Sequence, residues 1–139
     1  MTTPLVSHVG IAVDDLDAAI DRYRLITGGE PTLVTEVPDQ KVKVAIFAGA
    51  AGEHGGGRVE LVAPTSADSP ISGYLAKRGE GLHHICLYVS DIETRLRELK
   101  AAGCRLIDEQ PRIGAEGNRI AFVHPATGNG VLIELEEKK

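Results

Sequence analysis

The sequence has no tryptophan, and its other aromatic residues are three tyrosines and two phenylalanines among 139 residues. This shortage gives little support for a ligand site built as an aromatic cage. The 20 acidic residues outnumber the 15 basic ones, and the net charge of −5 argues against a nucleic acid partner, which needs a basic face. No apolar run approaches the roughly 18 residues that cross a membrane. We therefore expect no membrane association.

Cysteine is scarce as well. Cys86 and Cys104 are distant in the sequence and form no C-x-x-C pair, which favours free thiols over a disulfide. The N-terminal segment has neither the charged region nor the long apolar region of a secretory signal. These features predict a cytoplasmic protein. The length, with 42% hydrophobic and 25% charged residues, predicts one compact domain.

Hydrophobic periodicity and capping residues predict a mixed α+β fold. Strands are predicted at 5–13, 31–37, 42–47, 58–62, 82–89, 105–107, 119–123 and 131–135. One helix begins after Asp14 or Asp15 and ends at Gly28; a second begins after Asp91 and ends at Gly103. Between them, Ser69 and Pro70 begin a linking helix that ends at Gly79. Residues 49–57 are predicted to form a glycine-rich loop.

The two halves of the sequence repeat one pattern. The segment 8–13, which begins with His8, aligns with 84–89, which begins with His84; 59–61 around Glu60 aligns with 133–135 around Glu134. An internal duplication of a strand–helix–strand–strand–strand unit explains these matches. We therefore predict two βαβββ modules, 1–66 and 81–139, joined by a linking helix at 67–80. A unit of roughly 60 residues could hardly bury its own sheet, so the modules should pack together.

Each module supplies one histidine at the start of its first strand and one glutamate in its last strand. Facing modules would gather His8, Glu60, His84 and Glu134 around one divalent cation. Imidazole and carboxylate suit Zn, Mn, Fe, Co or Ni, and an octahedral ion would keep two positions for water or substrate. The alternative to a metal site is purely structural: each histidine would be an ordinary hydrogen-bonded residue, and each buried glutamate would have a hydrogen-bonded partner. Both residue types in both modules favour the metal.

Three further histidines could have a functional role, and for two of them a functional and a structural interpretation are both open. His83 and His84 alternate across their strand, so only one can be a ligand, and the repeat selects His84. For His83, hydrogen bonding at a pocket rim and structural packing are both open. For His124, substrate binding and ordering of its own loop are both open. His54 is expected to be exposed in the glycine-rich loop.

At these residues the sequence resembles the vicinal oxygen chelate superfamily, in which paired βαβββ modules surround a metal. Within it, the chain is similar to the methylmalonyl-CoA epimerase family over nearly its whole length. The segment 8–17 is general to the superfamily. The segments that are more specific to the epimerases are 68–71, 77–85, 108–114, 118–125 and 130–135.

The resemblance implies a vicinal oxygen chelate fold around a metal site and an epimerase that interconverts (2R)- and (2S)-methylmalonyl-CoA through a metal-stabilised enolate. It implies a coenzyme A thioester substrate, a homodimer and a cation such as Co, Mn, Ni or Zn. The implied metal ligands are His8, Glu60, His84 and Glu134, and Glu134 is also an acid/base group.

One position departs from the family pattern. Several epimerases carry a second glutamate in the strand at 42–47, and the matching position here is Val44, beside Lys43. No second catalytic residue is therefore assigned. A water molecule, a lysine from this strand or another nearby acid are the open alternatives.

Other functions fit the same fold. A glyoxalase I-like lyase can use the same four ligands, so the ligands do not separate it from an epimerase. An extradiol dioxygenase uses two histidines and one carboxylate, one ligand fewer than predicted here. A non-catalytic module that binds a small molecule would lack metal dependence.

Overall fold

The computed structural model describes residues 5–48 and 57–137. The predicted loop at 49–57, with His54, lies outside these residues except for Gly57. The elements follow in the order β1 (Val6–Ala12), α1 (Leu16–Thr27), β2 (Leu33–Val37), β3 (Val42–Phe47), β4 (Arg58–Pro64), α2 (Pro70–Arg78), β5 (Gly81–Val89), α3 (Ile92–Ala101), β6 (Arg112–Ile113), β7 (Arg119–Val123) and β8 (Leu132–Glu137). The mixed α+β class is as predicted, and the one strand that differs is described below.

Helices α1 and α3 are built alike, as the repeat predicts. Asp15 accepts a hydrogen bond from the Ala18 amide at 3.1 Å, and Asp91 accepts one from the Thr94 amide at 3.1 Å. Each aspartate thereby satisfies an amide that has no partner within its helix. The buried positions lie at matching distances from the two caps: Leu16 and Ile20 in α1, Ile92 and Leu96 in α3.

Residues 9–83 form one compact unit. Strands β2, β3 and β4 pair antiparallel, and the Val13 amide donates to the Val62 carbonyl at 2.9 Å. Glu60 lies opposite Ile46 in the β3–β4 ladder. The core of this unit consists of Val13, Leu16, Ile20, Ala45, Phe47, Leu61 and Ala63.

Residues 1–8 and 84–139 form the second compact unit. Strand β5 pairs parallel with β8, β8 pairs antiparallel with β7, and β7 pairs antiparallel with β6. The Leu5 carbonyl accepts from the Tyr88 amide at 2.9 Å. His8 therefore belongs to the same unit as His84 and Glu134. The predicted module boundaries at 66 and 81 stay a prediction.

The strand predicted at 105–107 is wrong. Only Leu106 forms a bridge, to Val123, and the hydrogen bonds of this bridge run from the Ile107 amide to the Phe122 carbonyl and from the His124 amide to the Arg105 carbonyl. The Arg105 amide donates to Oγ1 of Thr127 at 2.8 Å, and the amides of Ile107 and Asp108 both donate to the Phe122 carbonyl. The short strand β6, which was not predicted, takes the place beside β7.

Two expectations from composition concern the cysteines and the absence of a membrane-spanning segment. Cys86 and Cys104 are both free thiols, as predicted. Within the described residues, no helix has the length and apolar character to cross a membrane.

Removal of the Ile92 side chain tests the importance of the second unit's core. Ile92 is 0% exposed, so Ile92→Ala should lower the free energy of unfolding by about 2–5 kcal/mol. Urea unfolding followed by circular dichroism measures this change. Leu25→Ala, at a position that is 81% exposed, is the control and should change it by about 0.5 kcal/mol or less. Equal losses in the two variants would contradict this account of the core.

Candidate metal centre

Three of the four predicted ligands meet within the second unit. Oε1 of Glu134 lies 3.2 Å from Nε2 of His8 and 3.2 Å from Nε2 of His84. The two Nε2 atoms are also 3.2 Å apart. All three side chains are buried. The result is a triangle of one carboxylate oxygen and two imidazole nitrogens, contributed by β1, β5 and β8.

The strands explain how residues so distant in the sequence converge. In the parallel β5–β8 ladder, His84 pairs with Leu132 and Cys86 pairs with Glu134. Side chains two residues apart point to the same face of a strand. His84 and Cys86, the buried positions of β5, therefore share the face on which Glu134 lies. His8 joins them because the start of β1 belongs to this unit.

Burial alone raises the pKa of Glu134, since the charged form loses water. The hydrogen bonds from His8 and His84 and their charges act in the opposite direction and prevail, so that the pKa falls from 4.5 to about 2. The carboxylate is therefore ionised at neutral pH. A buried anion beside two imidazoles is an arrangement that a cation would complete.

The size of the triangle fits one metal ion. Bonds of about 2.0–2.2 Å from nitrogen and oxygen place neighbouring ligand atoms about 3.0–3.5 Å apart. The three observed separations of 3.2 Å fall in this range. Imidazole and carboxylate donors suit Zn, Mn, Co or Ni.

An aromatic ring and a cation form one wall beside His84. The Phe122 ring packs edge-on to the His84 ring, with centroids 6.1 Å apart. The Arg112 guanidinium lies 5.4 Å from the Phe122 centroid, and its Nε is 3.4 Å from Oδ2 of Asp108. Asp108 also accepts from the Phe122 amide at 2.8 Å. The Phe122 ring therefore lies between the His84 ring and the Arg112–Asp108 ion pair.

The remaining sequence candidates lie elsewhere. Glu60 is buried on β4 in the first unit, and its part in the site is a proposal discussed below. His83 packs edge-on against Tyr74 at 4.7 Å, consistent with the packing alternative. Nδ1 of His124 accepts from the Ala126 amide at 2.9 Å, which supports a role in ordering its loop.

A buried polar group on the Nδ1 side of His8 was not predicted from the sequence. Ser7, Cys86 and Glu136 are buried, and both Ser7 and Cys86 hydrogen-bond to Glu136. One signal was available, because Glu136 lies two residues after Glu134 and so shares its face of β8. Nothing in the repeat indicated Ser7.

Comparison with known proteins agrees with this architecture. The model of the Glyoxalase/Bleomycin resistance protein/Dioxygenase superfamily matches residues 7–122. The ethylmalonyl-CoA/methylmalonyl-CoA epimerase of Cereibacter sphaeroides is 41% identical over 134 residues, 95% of this chain and 96% of that protein. A solved methylmalonyl-CoA epimerase in complex with methylmalonyl-CoA and NH4+ is 34% identical, with a TM-score of 0.89, covering 99% of this chain and 96% of that chain. The probable lactoylglutathione lyase of Vibrio cholerae is 28% identical over 139 residues, 100% of this chain and 94% of that protein.

The chain belongs to the glyoxalase/bleomycin resistance/dioxygenase superfamily, also called the vicinal oxygen chelate superfamily, and within it to the methylmalonyl-CoA epimerase family. The predicted fold class is thereby confirmed.

The low pKa of Glu134 predicts the acid response of the metal-free protein. A carboxyl whose pKa is lowered by folding stabilises the native state above its unfolded value and loses this contribution as pH falls. Between pH 4.5 and pH 2 the free energy of unfolding should therefore fall by up to about 1.4 kcal/mol per pH unit from this group. Glu134→Gln should flatten the slope in this window, as measured by urea unfolding with chelator present. Parallel slopes would contradict the assignment.

Proposed function

We propose that this chain is a metal-dependent epimerase that interconverts (2R)- and (2S)-methylmalonyl-CoA. The observation that carries the proposal is the buried triangle of His8, His84 and Glu134, whose dimensions suit one divalent cation. The similarity to epimerases, one of them solved with methylmalonyl-CoA, supports a coenzyme A thioester as substrate. On the family resemblance we propose a homodimer, and on composition a cytoplasmic location.

Glu60 is our proposed fourth protein ligand. It is the repeat counterpart of Glu134. It lies between the apolar residues Val59 and Leu61 on β4 and is only 8% exposed. A buried carboxylate of this kind is stabilised by binding a cation. Together with His8, His84 and Glu134, Glu60 would hold the cation, which would stabilise negative charge on the substrate oxygens. Co, Mn, Ni and Zn all accept this donor set.

The chemistry requires removal of a weakly acidic proton next to the thioester carbonyl. A bound divalent cation would act as a Lewis acid that stabilises the negative charge developing on the substrate oxygens. Glu134 is our proposed proton acceptor, and its lowered pKa keeps it in the carboxylate form that a base needs. The same low pKa makes it a weak base, so the reaction depends on charge stabilisation at the substrate.

The second face of the substrate has no obvious acid among the family positions. Val44 stands where several epimerases have glutamate, and it is buried and apolar. Lys43 is exposed, next to Val44 on β3, so its side chain points to the other face of the strand. These positions support a water molecule, rather than Lys43, as the source of the returning proton.

Isotope exchange tests the proposed reaction. In deuterated water with a divalent cation, deuterium should enter C2 of methylmalonyl-CoA, and a chelator should abolish its entry. Glu134→Gln should slow the exchange by about 100- to 10,000-fold because the proton acceptor is lost. Glu98→Gln, on the exposed face of α3, is the matched control and should retain full exchange. Mass spectrometry or proton NMR measures the label.

Two results would contradict the epimerase proposal. Turnover of a glutathione hemithioacetal without exchange at C2 would favour a glyoxalase I-like lyase, the kind of enzyme that the Vibrio cholerae relative, a probable lactoylglutathione lyase, is named for. Cation binding with neither activity would favour a non-catalytic binding module.

The role of Glu60 has a separate test in metal affinity. Glu60→Gln keeps an oxygen that can bind the cation, whereas Glu60→Leu removes it. Loss of a residue that only hydrogen-bonds to a ligand typically weakens metal binding by about 10- to 100-fold. Glu60→Leu should weaken Zn(II) binding by more than this, and Glu60→Gln should weaken it less than Glu60→Leu does. Calorimetric titration of chelator-treated protein measures both constants. Wild-type affinity in Glu60→Leu would show that Glu60 is no ligand.

A further inference from the structure

A second buried carboxylate lies beside the proposed metal centre and has no part in the mechanism above. Glu136 follows Glu134 on β8 by two residues and is 3% exposed. One of its partners, Ser7, lies beside Nδ1 of His8.

Both oxygens of Glu136 accept hydrogen bonds. Oγ of Ser7 donates to Oε1 at 2.6 Å, and Nδ2 of Asn118 donates to Oε2 at 2.6 Å. The Cys86 thiol also donates to Oε1, at 3.6 Å. Glu136 is the acceptor in each of these three hydrogen bonds. The proton in the short contact to Ser7 is therefore the serine's own.

This arrangement determines which ring nitrogen of His8 carries a proton. The Ser7 hydroxyl has a single proton, and that proton is directed to Glu136. Its oxygen also lies 3.1 Å from Nδ1 of His8 and can only accept there. Nδ1 must therefore be protonated. Nε2, the atom 3.2 Å from Oε1 of Glu134, is then the nitrogen that can bind a cation once it gives up its own proton.

We propose that Glu136 and Ser7 are positioning residues, a carboxylate–hydroxyl relay that holds the proton on Nδ1 of His8 and presents Nε2 to the metal. The inference rests on the proposed metal site. Metal-bound histidines commonly donate their second N–H to a carboxylate, carbonyl or water, which fixes ring orientation and raises ligand basicity. Here a buried hydroxyl connects the imidazole to the carboxylate.

A competing arrangement uses the same atoms as a metal site. His8, Cys86 and Glu136 each offer a ligand atom, and these atoms lie within 4.8 Å of one another. Burial and the carboxylates of Glu134 and Glu136 raise the pKa of the Cys86 thiol, which keeps its proton and acts as a donor. A metal there would also require the Cys86 thiol to lose the proton that it donates to Glu136. The hydrogen bonds therefore favour the relay.

Nitrogen-15 NMR of histidine-labelled protein tests the relay directly. Nδ1 of His8 should carry a directly bonded proton in both the metal-free and the Zn(II)-loaded protein. Ser7→Ala and Glu136→Gln should each weaken Zn(II) binding by about 10- to 100-fold. Ser7→Ala should also reduce the population protonated at Nδ1 in the metal-free protein. Ser7→Thr keeps the hydroxyl and should restore both properties.

Glu137→Gln is the matched control. Glu137 is the next residue on β8, but it pairs with Arg119 and accepts from the Ile92 amide, away from His8. This variant should keep wild-type Zn(II) affinity and the wild-type His8 spectrum.

Three results would overturn the relay. They are a proton on Nε2 but not on Nδ1 in the metal-free wild type, unchanged Zn(II) affinity in both Ser7→Ala and Glu136→Gln, and a thiolate-to-metal charge-transfer band in the Co(II) protein. The last would place the ion at Cys86. A wild type that binds no Zn(II) would instead overturn the proposed metal site, while the His8 spectrum would still decide the hydrogen-bond relay.

Discussion

The buried carboxylate of Glu134, shared between two imidazoles, is the interaction on which the rest of the site depends. A charge at this depth is costly unless hydrogen bonds or opposite charges compensate it. His8 and His84 both contact the same oxygen, and neither is close to Glu134 in the sequence. Strands β1, β5 and β8 must therefore lie within one unit. The pairing of β5 with β8 and the assignment of residues 1–8 to this unit satisfy that requirement.

The buried polar groups of this unit cost stability, but their hydrogen bonds give each of them a fixed partner. Apolar side chains such as Ile92 and Leu96 pack on α3, whereas Ser7, Glu134 and Glu136 are buried polar groups within the same unit. A buried polar network is tolerable when its members are paired, because a half-paired one leaves desolvated charge. Here hydrogen bonds from serine, asparagine and cysteine satisfy Glu136, and each histidine has a defined partner.

The two halves of the sequence repeat the proposed ligands but not the proposed proton-transfer groups. His8 and His84 are counterparts, as are Glu60 and Glu134. By contrast, the strand position at which relatives carry a second glutamate holds Val44, which is buried among apolar neighbours. A duplicated scaffold can thus retain a repeated metal site while the groups that transfer protons diverge, because packing constrains the two kinds of position differently.

The sequence by itself determined the elements with strong local signals. Aspartate caps and apolar spacing located α1 and α3, and the repeat selected His84 over His83 because equivalent positions must share a face. It did not locate the short β6 or exclude a strand at 105–107, since the hydrogen bonds of this segment depend on Thr127 and Phe122, which are distant in the chain. Only the tertiary structure decided that His8, His84 and Glu134 meet at 3.2 Å and that Ser7 connects His8 to Glu136. Local periodicity specifies which face a side chain takes, whereas the partners it meets depend on strand pairing between remote segments.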